Sequence, residues 1–136
     1  MSAKSILLVE DDETDAYLIQ RSFRALPFEH DLEIAEDGVS ALQKLESRLA
    51  SDTLPDLVLL DLHMPGMNGF EVLEKIRTND QYQDLRVVVL TGADSDDTLL
   101  KAYECGATSY AVKPQNRLEF RHFVAEIAEW WTVKAA

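Results

Sequence analysis

Short apolar runs alternate with longer amphipathic segments along most of this chain. Five runs predict β-strands: Ser5 to Val9, Leu32 to Ala35, Leu57 to Leu60, Val87 to Leu90 and Ser109 to Val112. Runs this short and apolar are typical of strands that are buried on both faces of a parallel sheet. Each run is followed by a segment whose apolar residues recur every three to four positions, which predicts an amphipathic helix.

Stripes of apolar residues define four of the predicted helices. They are Ala16–Ile19–Phe23–Leu26, Ala41–Leu42–Leu45–Leu49, Val72–Leu73–Ile76 and Phe120–Phe123–Val124–Ile127–Trp131. The remaining helix begins at the polar stretch Asp94 to Asp97, continues through Tyr103 and is stopped by Gly106. Thr14 or a neighbouring aspartate is expected to cap the first helix. Five alternating strand–helix units predict an α/β protein whose parallel sheet is covered by helices on both faces.

Polar residues lie at the carboxyl ends of four predicted strands. They are Glu10 and Asp11 after the first strand, Asp61 after the third, Thr91 after the fourth and Lys113 after the fifth. Right-handed crossovers bring these strand ends to one edge of the sheet, where open α/β sheets bind ligands. Three neighbouring carboxylates repel one another, and a hard divalent cation relieves that repulsion. The sequence therefore predicts a cation site with a hydroxyl and an amine beside it.

The length and composition of the chain restrict the partners and the cellular location that can be expected for this protein. The chain has 136 residues, a net charge of −12 and a single cysteine, Cys105. This length fits one domain. The negative charge argues against binding to nucleic acid or to an anionic membrane surface. A membrane-spanning helix needs about 18 apolar residues in a row, and no apolar run of this chain approaches that length. A lone cysteine forms no intramolecular disulfide, so we expect a reducing compartment, the cytoplasm.

The strand-end motifs resemble those of response-regulator receiver domains of two-component signalling. The matching residues are Glu10–Asp11, Asp61 with the following Met64, Pro65 and Gly69, Leu90–Thr91–Gly92–Ala93, and Lys113–Pro114. Successive distances along the chain are 50 residues from Asp11 to Asp61, 30 to Thr91 and 22 to Lys113. The resemblance implies a flavodoxin-like (βα)5 fold, a doubly wound five-stranded parallel sheet with strand order 2-1-3-4-5.

The resemblance covers almost the whole chain, so we expect a receiver domain over residues 5–131 and no output domain. Stand-alone receivers of this kind signal through contacts with other proteins. The Val9–Glu10–Asp11 opening and the Trp130–Trp131 tail are most similar to the small receivers that partner bacterial phytochrome histidine kinases. The expected partner is therefore a sensor histidine kinase, and the subfamily resemblance points to a bacteriophytochrome.

The resemblance also implies the chemistry of the site. Asp61 is expected to be the nucleophile that takes a phosphoryl group from a kinase phosphohistidine. Mg²⁺ is the implied cofactor, bound by Asp11 and Asp61 directly and by Glu10 directly or through water. The backbone carbonyl of His63 is expected to supply a further ligand. Positioning and charge neutralisation dominate such chemistry, so a short set of residues suffices.

The remaining implied roles concern recognition of the phosphoryl group and switching. Lys113 is expected to pair with one phosphoryl oxygen and Thr91 to hydrogen-bond another, and the small Gly92–Ala93 pair lets the backbone approach. Movement of Thr91 toward the phosphate would let Tyr110, at the aromatic switch position, rotate inward and change the face formed by the fourth helix, fifth strand and fifth helix. The Lys113–Pro114 bond is expected to be cis.

Two other classes of function compete with this interpretation. A pseudo-receiver would bind partners without phosphorylation, but such domains typically lose a site residue and this chain has the full set. A Mg²⁺-dependent phosphohydrolase would need an acid two residues after the nucleophile, and that position is His63. We therefore expect that the protein is not an enzyme and that it catalyses only its own phosphorylation and the slow dephosphorylation of Asp61.

Two side chains have ambiguous roles. We expect the side chain of His63 to face solvent, so that only its carbonyl is functional. Trp130 and Trp131 are about 100° apart on a helix, so they cannot face the same core. Trp131 continues the buried stripe, and Trp130 should be partly exposed. This exposure favours a homodimer through the last helix, and a helix that packs back onto its own domain explains it almost as well.

Overall fold

The computed structural model describes residues 4–92 and 95–134, with side chains through residue 131. The strands are β1 (Lys4–Val9), β2 (His30–Ala35), β3 (Leu57–Asp61), β4 (Val87–Thr91) and β5 (Ser109–Val112). The helices are α1 (Glu13–Arg24), α2 (Gly38–Ala50), α3 (Gly69–Arg77), α4 (Asp96–Glu104) and α5 (Phe120–Lys134). Two short 3-10 turns, at Asp80–Tyr82 and Arg117–Glu119, were not apparent in the apolar pattern.

The five strands form one parallel sheet in the order β2-β1-β3-β4-β5, which confirms the predicted topology. The register aligns Val9 of β1 with Leu60 of β3, and Asp61 with Leu90 of β4. Because all strands run in the same direction, their carboxyl ends meet at one edge. The predicted site residues that end or follow strands therefore share that edge.

Two apolar clusters lie on opposite faces of the sheet, since alternate residues of each central strand point to opposite sides. Leu7, Val9, Val58 and Leu60 pack under α2 and α3, together with Ala102 of α4. The other cluster lies under α1 and α5, and its strand residues include Ile6, Leu8, Leu57, Leu59, Val88 and Leu90. The central strands are thus buried on both faces, as the continuous apolar runs predicted.

The helix caps agree with the alternatives that the sequence offered. Asp12, one of the aspartates near Thr14, caps α1, and its side chain accepts a hydrogen bond from the backbone N–H of Asp15 at 2.9 Å. Leu26 lies beyond the end of α1 but still packs against the α1–α5 cluster. Ser95 caps α4, while Asp94 lies outside the described residues. Among the described residues, no helix is long and apolar enough to span a bilayer.

Arg77 at the end of α3 connects three segments of the fold through its guanidinium group. Its Nε donates to the carbonyl of Gly106 at 2.7 Å, and its Nη2 donates to the carbonyl of Leu85 at 2.7 Å and to Thr108 Oγ1 at 3.3 Å. Its Nη1 donates to the carbonyl of Tyr82 at 3.0 Å. One side chain therefore joins α3 to the segments before β4 and before β5.

Arg77→Met should lower the free energy of unfolding by about 2–3 kcal/mol, because partly buried carbonyls lose a charged donor. Lys75→Met, which removes the same charge from an exposed position of α3, should change it by less than about 0.5 kcal/mol. Urea denaturation followed by circular dichroism measures both. Equal effects of the two substitutions would show that the Arg77 hydrogen bonds do not stabilise the fold.

Candidate functional site

Three carboxylates meet at the carboxyl edge of the sheet, as the sequence predicted. Glu10 follows β1 and is 1% exposed, and Asp61 ends β3 and is 4% exposed. Asp11, beside Glu10, is exposed. One oxygen from each carboxylate lies within 4.8 Å of the other two. This all-oxygen donor set fits a hard divalent cation such as Mg²⁺.

The backbone around Asp61 is held by a close turn. The His63 N–H donates to Asp61 Oδ1 at 3.1 Å, and the Gly69 N–H donates to the carbonyl of Leu62 at 3.1 Å. A Cβ atom at Gly69 would lie 2.5 Å from the carbonyl oxygen of Asp61 and 2.6 Å from Leu62 Cα. Since real Cβ atoms do not approach backbone that closely, only glycine fits where α3 begins. The glycine of the motif thus allows the chain to return against the strand that carries Asp61.

Gly69→Ala should therefore lower the free energy of unfolding by about 1–3 kcal/mol, since the backbone of Asp61 and Leu62 must move. Gly92→Ala is the matched control. No described non-neighbouring atom lies within 4 Å of a Cβ added there, and its φ is not left-handed. Chemical denaturation compares the two variants with the wild type. If both are equally stable, the turn is looser than the structure shows.

Lys113 brings its ammonium group to the carboxylates from β5. Its backbone N–H donates to the carbonyl of Thr91 at 2.7 Å, which continues the β4–β5 ladder by one residue. Its Nζ contacts a carboxylate oxygen of Glu10 and lies 3.3 Å from Asp15 Oδ2 and 3.5 Å from Asp61 Oδ2. The lysine side chain is only 13% exposed. A nearly buried cation therefore lies among three carboxylates.

Burial and the neighbouring charges shift the pKa values of Glu10 and Lys113. Burial, with a further contribution from Asp61, raises the pKa of Glu10 to about 8, although Lys113 acts in the opposite direction. For Lys113, burial lowers the pKa, but contacts with Glu10, Asp61 and Asp15 outweigh it, so the pKa is raised. The lysine thus stays protonated. The cluster as a whole has more negative charge than one ammonium group neutralises, and a cation would relieve this excess.

Thr91 and His63 lie next to each other at the same edge of the sheet. Thr91 ends β4 and is fully buried. The side chain of His63 is exposed, as predicted, but its Nε2 lies 3.5 Å from Thr91 Oγ1. The imidazole of His63 therefore contacts a second predicted site residue, and the functional role of its carbonyl alone stays a prediction. Gly92 lies beyond Thr91, and Ala93 falls outside the described residues.

The predicted switch position and the bond after Lys113 are both described. Tyr110 on β5 is 38% exposed, and its ring lies edge-on to that of Tyr103 with centroids 6.1 Å apart. Its ring therefore faces outward. The expected cis bond between Lys113 and Pro114 is wrong, since no described peptide bond is cis. An X–Pro bond favours trans by about 0.5–1 kcal/mol, and local sequence alone does not overcome that preference.

The adjacent tryptophans of α5 separate as their helical positions predicted. Trp131 is 2% exposed and lies edge-on to Phe28, with ring centroids 6.2 Å apart. Trp130 is partly exposed and also packs against the α1–α5 cluster. It lies beside Tyr110 and Val112 in a groove between β5 and α5. The helix therefore packs onto its own domain and still presents part of one tryptophan to solvent.

Sequence reasoning missed two charged residues that border the site. Asp15 in the first turn of α1 contacts Lys113, and Arg117 after β5 contacts Asp15 with Nε–Oδ1 at 3.1 Å. Asp15 follows Asp11 by four residues, and Arg117 follows Lys113 by four. That spacing placed both near the site once α1 and the loop after β5 were assigned. What sequence could not provide was the approach of α1 to this loop.

The fold and this edge define a class of protein, and comparison with known families agrees. The chain belongs to the response regulator receiver domain family, whose model matches residues 6–125. Receivers of this family are signalling proteins of two-component systems. The expectation from the strand-end motifs is thus confirmed at the level of the family.

Individual proteins and solved structures are similar to this chain over most of its length. The chain is 41% identical over 127 residues to the probable methanogenesis regulatory protein FilR2 of Methanothrix harundinacea, covering 93% of this chain and 82% of that protein. It is 34% identical over 130 residues to response regulator Rcp1 of Synechocystis, covering 94% and 88%. The Mn²⁺-bound form of Rcp1 matches with a TM-score of 0.84 at 34% identity over 94% of each chain. The phosphorylated cyanobacterial phytochrome response regulator RcpA matches with a TM-score of 0.90 at 31% identity, over 99% of this chain and 98% of that one. The predicted similarity to phytochrome-associated receivers is confirmed.

Proposed function

We propose that this chain is a phosphoacceptor that takes a phosphoryl group on Asp61 from the phosphohistidine of a sensor histidine kinase. The observation that carries the proposal is the position of Asp61. Its carboxylate is nearly buried, belongs to an all-oxygen cation site and lies 3.5 Å from the Lys113 ammonium. The structure of RcpA, a relative of the same fold, is of a phosphorylated form, which supports phosphorylation of this chain.

The transfer exchanges one phosphorus bond for another. A carboxylate oxygen of Asp61 attacks phosphorus, the bond from phosphorus to the kinase imidazole nitrogen breaks, and its electron pair returns to the ring. Asp61 becomes an acyl phosphate. The Lys113 ammonium offsets negative charge on one phosphoryl oxygen, and the Thr91 hydroxyl donates to another. Charge compensation of this kind is the main contribution that a protein makes to phosphoryl transfer.

Mg²⁺ is the proposed cofactor, held by Asp11 and Asp61 directly, by Glu10 directly or through water, and by the His63 carbonyl. When bound, the ion neutralises negative charge that would otherwise repel the phosphoryl donor. The close oxygen donors support this set. Glu10 has a further partner in Lys113, and its Oε2 is 3.4 Å from the N–H of Asp12. Those contacts favour the water-mediated role for Glu10. The Mn²⁺-bound form of Rcp1 supports a divalent cation in this family.

The proposed output is a change of surface driven by the added charge, about −1.5 to −2 on Asp61. Drawing Thr91 toward the phosphoryl group would break its contact with His63 and open space beside β4 for Tyr110. The outward ring of Tyr110 supports this direction of movement. The face of α4, β5 and α5 would then present a different surface to partner proteins. An NMR signature of Tyr110 that is identical before and after phosphorylation would contradict this switch.

The proposed partner is a sensor histidine kinase, of the phytochrome type by similarity to RcpA. A homodimer through α5 stays a prediction, which the half-exposed Trp130 supports and sedimentation with and without phosphoryl donor would test. The single receiver domain over residues 5–131, the cytoplasmic location and the lack of nucleic-acid or membrane binding also stay predictions. We propose no enzymatic activity beyond self-phosphorylation and slow self-dephosphorylation.

Intact mass spectrometry after incubation with acetyl phosphate tests the proposal. We expect one phosphoryl adduct in the presence of Mg²⁺ and none when EDTA replaces it. Beryllofluoride should give a Mg²⁺-dependent change in tryptophan fluorescence or NMR spectrum. No adduct and no response to beryllofluoride would favour the alternative, a phosphorylation-independent pseudo-receiver that acts through protein contacts alone.

A further inference from the structure

Asp15 and Arg117 border the site, and neither has a role in the function proposed above. The side chain of Asp15 is 16% exposed, and that of Arg117 is 53% exposed. Asp15 Oδ2 lies 3.3 Å from Lys113 Nζ, while Asp15 Oδ1 accepts a hydrogen bond from Arg117 Nε at 3.1 Å. A single carboxylate on α1 therefore joins the lysine of the site to a second cation outside it.

The geometry around Lys113 explains what Asp15 does. An ammonium group has three donors. Glu10 and Asp15 contact Nζ, and Asp61 Oδ2, at 3.5 Å, is the remaining carboxylate oxygen near it. With two donors directed to Glu10 and Asp15, the third is free to face Asp61, where phosphoryl oxygens would lie. Without Asp15, the flexible lysine stem loses one of the two contacts that hold its end.

Arg117 holds Asp15 in turn. Its Nη2 lies 3.5 Å from Asp12 Oδ2, and Asp12 caps α1 through the backbone N–H of Asp15. The arginine therefore contacts both acids at the start of α1. Its charge offsets that of Asp15, which would otherwise compete with a phosphoryl group for the Lys113 ammonium.

We propose that Asp15 and Arg117 are positioning residues for phosphoryl transfer, with Asp15 directing Lys113 toward Asp61 and Arg117 holding Asp15 in place. This inference rests on the proposed function of Asp61 and Lys113. Asp15 and Arg117 act through Lys113, so their effect is on the rate of transfer once the donor is bound.

Asp15→Asn and Arg117→Gln, alone and combined, test the proposal. The rate of adduct formation is measured by intact mass at saturating Mg²⁺ over a range of acetyl phosphate concentrations. Each single substitution should lower the maximal rate about tenfold, the usual effect of losing a residue that orients a functional group. The double variant should be no slower than Asp15→Asn, because Arg117 acts only through Asp15. Arg117→Lys should recover most of the rate, since an ammonium group can also pair with Asp15.

Arg121→Gln is the matched control, because it removes the same charge from an exposed position of α5 near Arg117. It should keep the wild-type maximal rate. If Asp15→Asn and Arg117→Gln behave like this control while the wild type is phosphorylated, the positioning role is wrong and the role of Asp61 stands. A lower melting temperature with an unchanged maximal rate would likewise overturn it, in favour of a structural role. If the wild type itself forms no adduct, both proposals fall.

Discussion

Asp61→Asn should abolish phosphorylation of the chain, with no phosphoryl adduct under conditions that modify the wild type. The amide oxygen lacks the charge and the nucleophilicity of the carboxylate, and the substitution removes one of three acids from the cation site. The side chains have nearly the same shape, so the His63 N–H keeps an oxygen acceptor at this position. The expected loss is therefore chemical rather than a consequence of misfolding. Intact mass spectrometry with acetyl phosphate and Mg²⁺ measures it.

Asp56→Asn provides the control for this prediction. Asp56 directly precedes β3, at the opposite end of the strand from Asp61, and its carboxylate accepts a hydrogen bond from the Ser5 N–H at 2.8 Å. The same chemical change there should leave phosphorylation at the wild-type rate. An adduct on Asp61→Asn, mapped to another residue by peptide fragmentation, would show that Asp61 is not the sole acceptor.

Lys113→Met should lower the rate of adduct formation by about 10²–10³-fold, the usual effect of removing one group that stabilises developing charge. Methionine keeps a long unbranched stem but has no donor for a phosphoryl oxygen. It also leaves the buried carboxylates of Glu10 and Asp61 without their cation, which costs about 3–5 kcal/mol of stability when such a pair is broken. Rates are therefore measured with saturating Mg²⁺, after circular dichroism confirms the fold.

Lys44→Met is the matched control for Lys113→Met. Lys44 is part of an exposed ion pair with Glu33, with Nζ–Oε2 at 3.0 Å, and such pairs contribute at most about 1 kcal/mol. The Lys44→Met variant should form the phosphoryl adduct at the wild-type rate. Lys113→Arg keeps the charge with a different donor geometry and should fall between wild type and Lys113→Met. Wild-type rates in both Lys113 variants would show that the lysine has only a structural role.

Most of the fold could be predicted from local patterns. The runs that end at Val9, Leu60 and Leu90 lie in strands buried on both faces, and the stripe that ends at Trp131 faces the core. These predictions were confirmed because a strand buried on both faces requires a continuous apolar run, and a helix buried on one side requires apolar residues every three to four positions. The boundaries shifted by one or two residues, since the caps of α1 and α4 depend on which of several neighbouring polar side chains reaches the free N–H groups.

Contacts between residues far apart in the sequence could not be predicted from it. Asp15 and Lys113 are separated by 98 residues, and His63 and Thr91 by 28. Neither contact has a local sequence pattern, because each depends on how a helix or a turn packs against a strand end. The bond before Pro114 is trans, which is the ordinary preference of an X–Pro bond, and the cis expectation came from the family resemblance rather than from the Lys-Pro dipeptide.

The sequence by itself determined the strand–helix alternation and the placement of Glu10, Asp11, Asp61, Thr91 and Lys113 at strand ends. It could do so because hydrophobic periodicity identifies buried faces and because parallel strands share one carboxyl edge. Only the tertiary structure decided which carboxylates surround the Lys113 ammonium and that α1 supplies one of them. The physical reason is that a lysine pairs with whichever acids packing brings within reach, and packing places α1 against α5 and the loop before it.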